Sequence, residues 1–175
     1  MTPLTNSASI THISFIYRLY FLYFEPFGAI LGTYLCLFNP QRFLSGTVPL
    51  PAYISFSTPS SGSSLSSIST SSSADRTVTI SPLLQMQLIN IASLYILFAI
   101  TEGVVLRLTR QKSIWVAIIA AMACADMGHL YAAWSVSPDR MGDVMGWNGD
   151  ERINYGTLFA GLGLRVLFLM GVGRR

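Results

Sequence analysis

Four apolar segments of membrane-spanning length divide this chain, and each is broken by an ionisable side chain. The segments run over about 13–38, 83–106, 114–134 and 155–172, and the interruptions are Glu25, Glu102, Asp126 and Arg165. A helix needs about 20 apolar residues to cross a hydrocarbon core, at about 1.5 Å per residue. It also satisfies its own backbone groups, which lipid cannot do. The expectation is an all-α chain, an integral membrane four-helix bundle built as a single four-span domain over 1–175. Ionisable groups at membrane depth are costly, so they face a bundle interior and mark function by default.

Composition supports that class. Hydrophobic residues make up 51% of the chain and charged residues only 11%, against about 25% charged in an average soluble domain. The net charge of +3 comes without a basic run interleaved with aromatics, which argues against nucleic acid as a partner. The cysteines, Cys36 and Cys124, have no metal-ligand spacing, and His12 and His129 are too few for a histidine site. No metal is expected, and both thiols read as buried and free. No Gly-rich phosphate loop, nucleophile elbow or dinucleotide fingerprint is present, so no cofactor is expected either. Residues 1–12 contain no Lys or Arg and no small-residue cleavage site follows, so the first apolar run reads as a retained helix.

The connections differ in kind. Between 55 and 73, 12 of 19 residues are Ser and two are Thr. Such a stretch cannot bury enough apolar surface to fold, and 45–81 reads as a long disordered Ser-rich loop between helices 1 and 2. The 107–113 link is short and basic. The 135–154 link is polar and contains Trp147, an expected interfacial anchor. Arg107, Arg110, Lys112, Arg174 and Arg175 fall on one side, so both termini are expected in the cytosol, with the endoplasmic reticulum as the expected membrane. The Ser-rich loop would then face the lumen, where O-glycosylation is open to it.

Helix rise gives rough depths from the terminal side. Glu25 lies about 16 Å deep, Asp126 about 18 Å and Arg165 about 12 Å, so these three are expected to meet near mid-membrane. Arg18 and Glu102 lie at about 6–8 Å, where a second pair can form. Two carboxylates beside one guanidinium make an acid–base constellation, since the cation favours one ionised carboxylate and burial favours the neutral form of the other. His129 is three residues from Asp126 and near it on a helix, so Asp126 can fix the imidazole tautomer for proton transfer. The candidate catalytic set is therefore Glu25, Asp126, His129, Glu102 and Arg165. The same charges also fit helix–helix glue. Pro26 implies a kink beside Glu25. Gly28 and Gly32 form a Gly-x-x-x-Gly pair suited to close contacts inside the bundle. Tyr17 and Tyr20 read as interfacial anchors, although a hydroxyl near the carboxylates can orient a substrate oxygen. Gly171 and Gly173 read as a helix terminus.

Some of these residues carry a resemblance. The run Tyr17-Arg-Leu-Tyr-Phe-Leu-Tyr-Phe-Glu-Pro-Phe-Gly-Ala29, with Asn39-Pro-Gln-Arg-Phe-Leu44, Asp126-Met-Gly-His-Leu-Tyr131, Trp147-Asn148 and Arg165, resembles a largely uncharacterised family of small four-span fungal membrane proteins. Its layout is similar to small membrane enzymes of fungal secondary-metabolite clusters, some of which hydrolyse epoxides or cyclise polyketide or terpenoid chains. The resemblance implies a cofactor-independent hydrolase, isomerase or cyclase acting on a lipophilic small molecule, with acidic and histidine positions at Glu25, Asp126 and His129. Two other readings stand beside it. One is a membrane carrier or ligand-binding protein, for which a homo-oligomer is open because four spans are few. The other is a structural membrane scaffold.

Overall fold

In the computed structural model, residues 13–48, 80–109 and 111–173 are described, and all their regular structure is helical. Helix α1 is Phe15–Phe38, α2 is Pro40–Thr47, α3 is Pro82–Leu108, α4 is Lys112–Val136, α5 is Pro138–Gly142 and α6 is Gly149–Leu169. A single 3₁₀ turn, Val144–Gly146, precedes α6. Three of these, α1, α3 and α4, are long and apolar enough to cross a membrane. The 21-residue α6 is long enough, but its polar first turn and Arg165 dilute its apolarity. Apart from residues 45–48 and 80–81, the Ser-rich segment lies outside the described residues. Ser45, Gly46 and Thr47 close α2.

Local chemistry sets the helix ends. Pro40 and Pro82 open α2 and α3, where a missing N–H costs nothing. Asn39 Oδ1 accepts from the Arg42 N–H at 3.2 Å, and Ser81 Oγ accepts from the Leu84 N–H at 3.2 Å. Asn148 and Glu151 form a reciprocal capping box on α6, with both bonds at 2.8 Å. At its other end the Val172 N–H reaches the Leu167 carbonyl and the Gly171 N–H reaches that of Phe168, both at 3.0 Å. This is a Schellman terminus, and Gly171 supplies the positive φ of 89° that it needs.

The long helices pack as two antiparallel pairs, α1 with α3 and α4 with α6. Both pairs meet at one end. Ile13 and α1 residues Tyr17, Phe21 and Leu22 pack there with Leu106 of α3, Trp115 and Ile119 of α4, and Phe168 of α6. The Ser14 N–H also bonds the Gly173 carbonyl at 3.1 Å, which ties the start of α1 to the end of α6. At the opposite end each pair keeps its own core. Cys36, Phe43, Leu44, Leu88 and Ala92 join α1, α2 and α3, whereas Ala133, Met141, Trp147 and Tyr155 join α4, α5 and α6. Helix α2 bridges these two cores: Arg42 makes a bidentate pair with Asp150 at 2.7 and 2.9 Å, and Tyr155 Oη donates to the Thr47 carbonyl at 3.4 Å.

Outward faces carry exposed apolar side chains such as Phe27, Ile30, Leu94 and Leu97. In water such a surface would drive association, whereas a lipid bilayer accommodates it. Gly32 lets α3 approach closely, because a Cβ there would sit 2.9 Å from the Tyr95 ring, while Gly28 faces open space. Two expectations change. Trp147 is buried rather than interfacial, because its Nε1 donates to the Arg140 carbonyl at 2.9 Å and its ring packs on Tyr155. Cys124 lies exposed on the outer face of α4, and only Cys36 is buried.

Candidate functional site

On each long helix the ionisable residue continues the inward apolar stripe. Glu25 follows Phe21 and Leu22, Glu102 precedes Leu106, Asp126 lies between Met122 and Ala133, and Arg165 lies between Gly161 and Phe168. Spacings of three and four keep residues on one helix face, so packing the apolar stripe inward carries the charges in with it.

Depth then brings the four together. Counted from the end where all helices meet, the Cα atoms of Arg165 and Glu102 lie about 6 and 9 Å along their helices, and those of Glu25 and Asp126 about 15 and 21 Å. Side chains lean toward the N-terminus of their own helix. Glu102 and Arg165 therefore reach away from that end, while Glu25 and Asp126 reach back toward it. The four heads converge. Arg165 Nη2 lies 2.8 Å from Glu25 Oε1 and 3.2 Å from Glu102 Oε1, and Nη1 donates to Asp126 Oδ2. The expected Arg18–Glu102 pair does not form. Arg18 is exposed, and a depth count by rise alone ignores the lean that turns Glu102 to the shared centre.

Both glutamates sit at wide helical turns. Residues Tyr20–Phe24 form a π turn that ends on Glu25, whose N–H bonds the Tyr20 carbonyl five residues back. Residues Thr101–Val105 form another around Glu102. Such π-bulges inside helices are frequent at functional sites. Pro26 has no N–H to offer the Leu22 carbonyl four residues back. Arg107 Nη2 fills that role at 2.7 Å, with its guanidinium 4.3 Å from the Tyr23 ring centroid.

The site holds three carboxyl groups against one guanidinium, so it is electrically neutral only when two protons reside on it. Side-chain exposure is 3% for Glu102 and 6% for Arg165, but 14% for Glu25 and 13% for Asp126. Glu102 is sealed, and the other two acids retain an opening. Arg165 Nε is buried without a hydrogen-bond partner, and the Glu25 and Glu102 carboxyl groups share a side-chain hydrogen bond. The site is also tight against α6. A Cβ on Gly161 would lie 2.9 Å from Tyr20 Oη, 3.0 Å from Arg165 Nη1 and 3.1 Å from Glu25 Oε1. No group of residues suited to holding a metal ion occurs among the described residues.

Of the five residues singled out in the sequence, Glu25, Glu102, Asp126 and Arg165 come together, and His129 does not. Its side chain is exposed, with no hydrogen bond or ion pair to the cluster. Tyr17 is buried against Phe21 and Phe168 rather than anchored at an interface. Tyr20 is half-buried beside the cluster, which fits the alternative that its hydroxyl lies near the carboxylates rather than the interfacial reading. A family model described as a domain of unknown function (DUF7704) matches residues 10–175. No curated protein and no solved structure matches the chain.

Proposed function

We propose, for a chain that belongs to the DUF7704 family, a membrane-embedded acid–base enzyme acting on a lipophilic, oxygen-bearing substrate. The observation that carries this reading is the convergence of three carboxyl groups on Arg165 inside the bundle, with Glu25 and Asp126 left partly open and Glu102 sealed. Helix α6 is read as a fourth span, because it runs antiparallel along α4 and ends where α1 begins. Arg165 fixes the charge balance, and Glu102 holds the guanidinium in place. One of Glu25 and Asp126 gives its proton to the substrate oxygen as a C–O bond breaks. The other carboxylate takes a proton from water as the water oxygen bonds to carbon, so the net change is addition of one water. If an internal carbon–carbon double bond replaces water as the nucleophile, the same pair returns the proton, and the outcome is cyclisation or isomerisation. A lipophilic polyketide or terpenoid is the substrate class the sequence resemblance suggests, and the endoplasmic reticulum with cytosolic termini is the corresponding setting.

Substitutions Glu25→Gln and Asp126→Asn remove the acid and nearly keep the shape. In a strain lacking the chromosomal gene, each variant should reach the membrane at the normal level yet fail to restore the lipophilic compounds lost on deletion. A second reading has its own observation: Arg165 of the α4/α6 pair holds Glu25 and Glu102 of the α1/α3 pair, so it joins the two halves. Under this glue reading each variant lowers stability in detergent and leaves any activity of the surviving protein intact. Normal stability with full restoration would refute both.

A further inference from the structure

We infer that Tyr20 is a further residue of this site, and that its phenolic hydrogen is donated to a neutral oxygen of the substrate: an ether, an epoxide or a carbonyl on a lipophilic skeleton. The inference rests on the enzyme reading above and adds to it the substrate's hydrogen-bonding chemistry. Three polar atoms, Tyr20 Oη, Arg165 Nη1 and Glu25 Oε1, surround the place where Gly161 lacks a Cβ, at 2.9, 3.0 and 3.1 Å. Each therefore lies within about two hydrogen-bond lengths of the others.

Backbone geometry explains why Tyr20 is there. In an α-helix, residues five apart point about 140° away from each other. The hydrogen bond from the Glu25 N–H to the Tyr20 carbonyl closes a π turn instead and brings the two residues nearly above one another. Without that turn, Tyr20 would face away from Glu25. The hydroxyl has little else to do. It donates to the Thr157 carbonyl at 3.4 Å, longer than the 2.5–3.0 Å of a good O–H···O bond. Thr157 lies in the interior of α6, where its carbonyl already has a helical partner four residues on. Arg165 Nε adds a buried N–H donor without a partner. An unsatisfied guanidinium N–H and a weakly engaged hydroxyl beside one cluster suit a ligand oxygen better than a closed salt-bridge network, in which buried polar groups are normally all satisfied.

The test compares Tyr20→Phe with Asp126→Asn and the unaltered gene, each in the deletion strain. The probe is the set of compounds in the lipophilic extract that vanish on deletion and return with the unaltered gene. Membrane level and melting temperature in detergent are measured in parallel. Tyr20→Phe keeps the ring contacts with Phe21 and Phe24, so a purely structural tyrosine predicts unchanged product. The expected result is a fall of about tenfold or more, with level and melting temperature unchanged, since a lost hydrogen bond of about 1.4 kcal/mol is a factor of ten. Unchanged product in Tyr20→Phe, with product lost in Asp126→Asn, overturns the role of Tyr20 and leaves the enzyme reading standing. Loss that tracks a lower level or melting temperature overturns the role as well. If no compound depends on the gene, or Asp126→Asn restores it fully, the enzyme reading falls and this inference with it.

Discussion

Replacing Arg165 with Met removes the cation and nearly keeps the length of the side chain. Three contacts are lost, those to Glu25, Glu102 and Asp126. Polar contacts between membrane helices are worth about 0.6 kcal/mol on average and at most about 1.7, because the unfolded chain in lipid also finds partners. Three of them sum to about 2 kcal/mol. Breaking a buried ion pair by removing one partner costs about 3–5 kcal/mol in soluble proteins, which sets an upper bound. The expected loss is therefore about 2–4 kcal/mol. The sharper expectation is the dependence on background. In a Glu25→Gln, Glu102→Gln, Asp126→Asn chain the guanidinium has no counter-charge, so Arg165→Met should cost less than about 1 kcal/mol or even stabilise. Denaturant unfolding in mixed micelles can measure both, followed by the fluorescence of Trp115, which lies buried against Phe168 beneath the site. An equal cost in the two backgrounds would refute the argument, because Arg165 would then be acting through packing alone, for instance its approach to the Phe21 ring at 5.7 Å.

Further outcomes follow from single positions. Gly161→Ala places a methyl about 3 Å from three polar atoms of the site, so it should lower stability by about 1–3 kcal/mol and product formation more than Gly163→Ala, which meets open space. Gly32→Ala should cost a similar amount through Tyr95, while Gly28→Ala should be neutral or better, both read by melting temperature in detergent. Arg42→Ala should change stability by only about 0.2–1 kcal/mol, less in high salt, because the pair with Asp150 is largely exposed. A tag on either terminus should be open to protease in sealed microsomes with cytosolic face outward. Protection of both tags would reverse the orientation, and protection of one would remove a span.

Much of the site was legible in the sequence. Rise counted over the apolar segments suggests that Glu25, Asp126 and Arg165 meet, and the structure joins them, although their Cα atoms lie about 15, 21 and 6 Å along their helices and the lean of the side chains closes the gap. Glu102 was misplaced because rise locates the Cα, whereas a carboxylate head sits about one turn nearer its helix N-terminus. The stripe Leu88, Ala92, Tyr95, Glu102 and Leu106 held the missing signal, since Glu102 continues a buried face. His129 lies one turn beyond Asp126, and spacing alone does not show that the imidazole makes no hydrogen bond or ion pair with the cluster. Tyr20 could not have been found by periodicity. Its alignment with Glu25 depends on a π turn, and α-helical spacing places residues five apart on different faces. Trp147 failed for another reason. An interfacial tryptophan and one that caps a small core have the same local sequence, and its hydrogen bond to Arg140 decides between them.

Chain order gives the cluster a history. Glu25, Glu102 and Asp126 all precede Arg165, by 63 residues for Glu102 and 39 for Asp126. At about 5–20 residues per second, ribosomes make the cation about 2–8 s after the last of the three acids. For that interval the nascent protein holds three carboxyl groups in or near an apolar phase with no counter-charge from α6. The α1/α3 pair can meet first through Gly32 and Tyr95, but its acidic face stays open until α6 arrives. The counter-charge of the cluster thus arrives with the last helix. A chain stopped before Arg165 differs from a finished one by an uncompensated acidic seam, a feature that membrane quality control can read without sensing any loop or terminus.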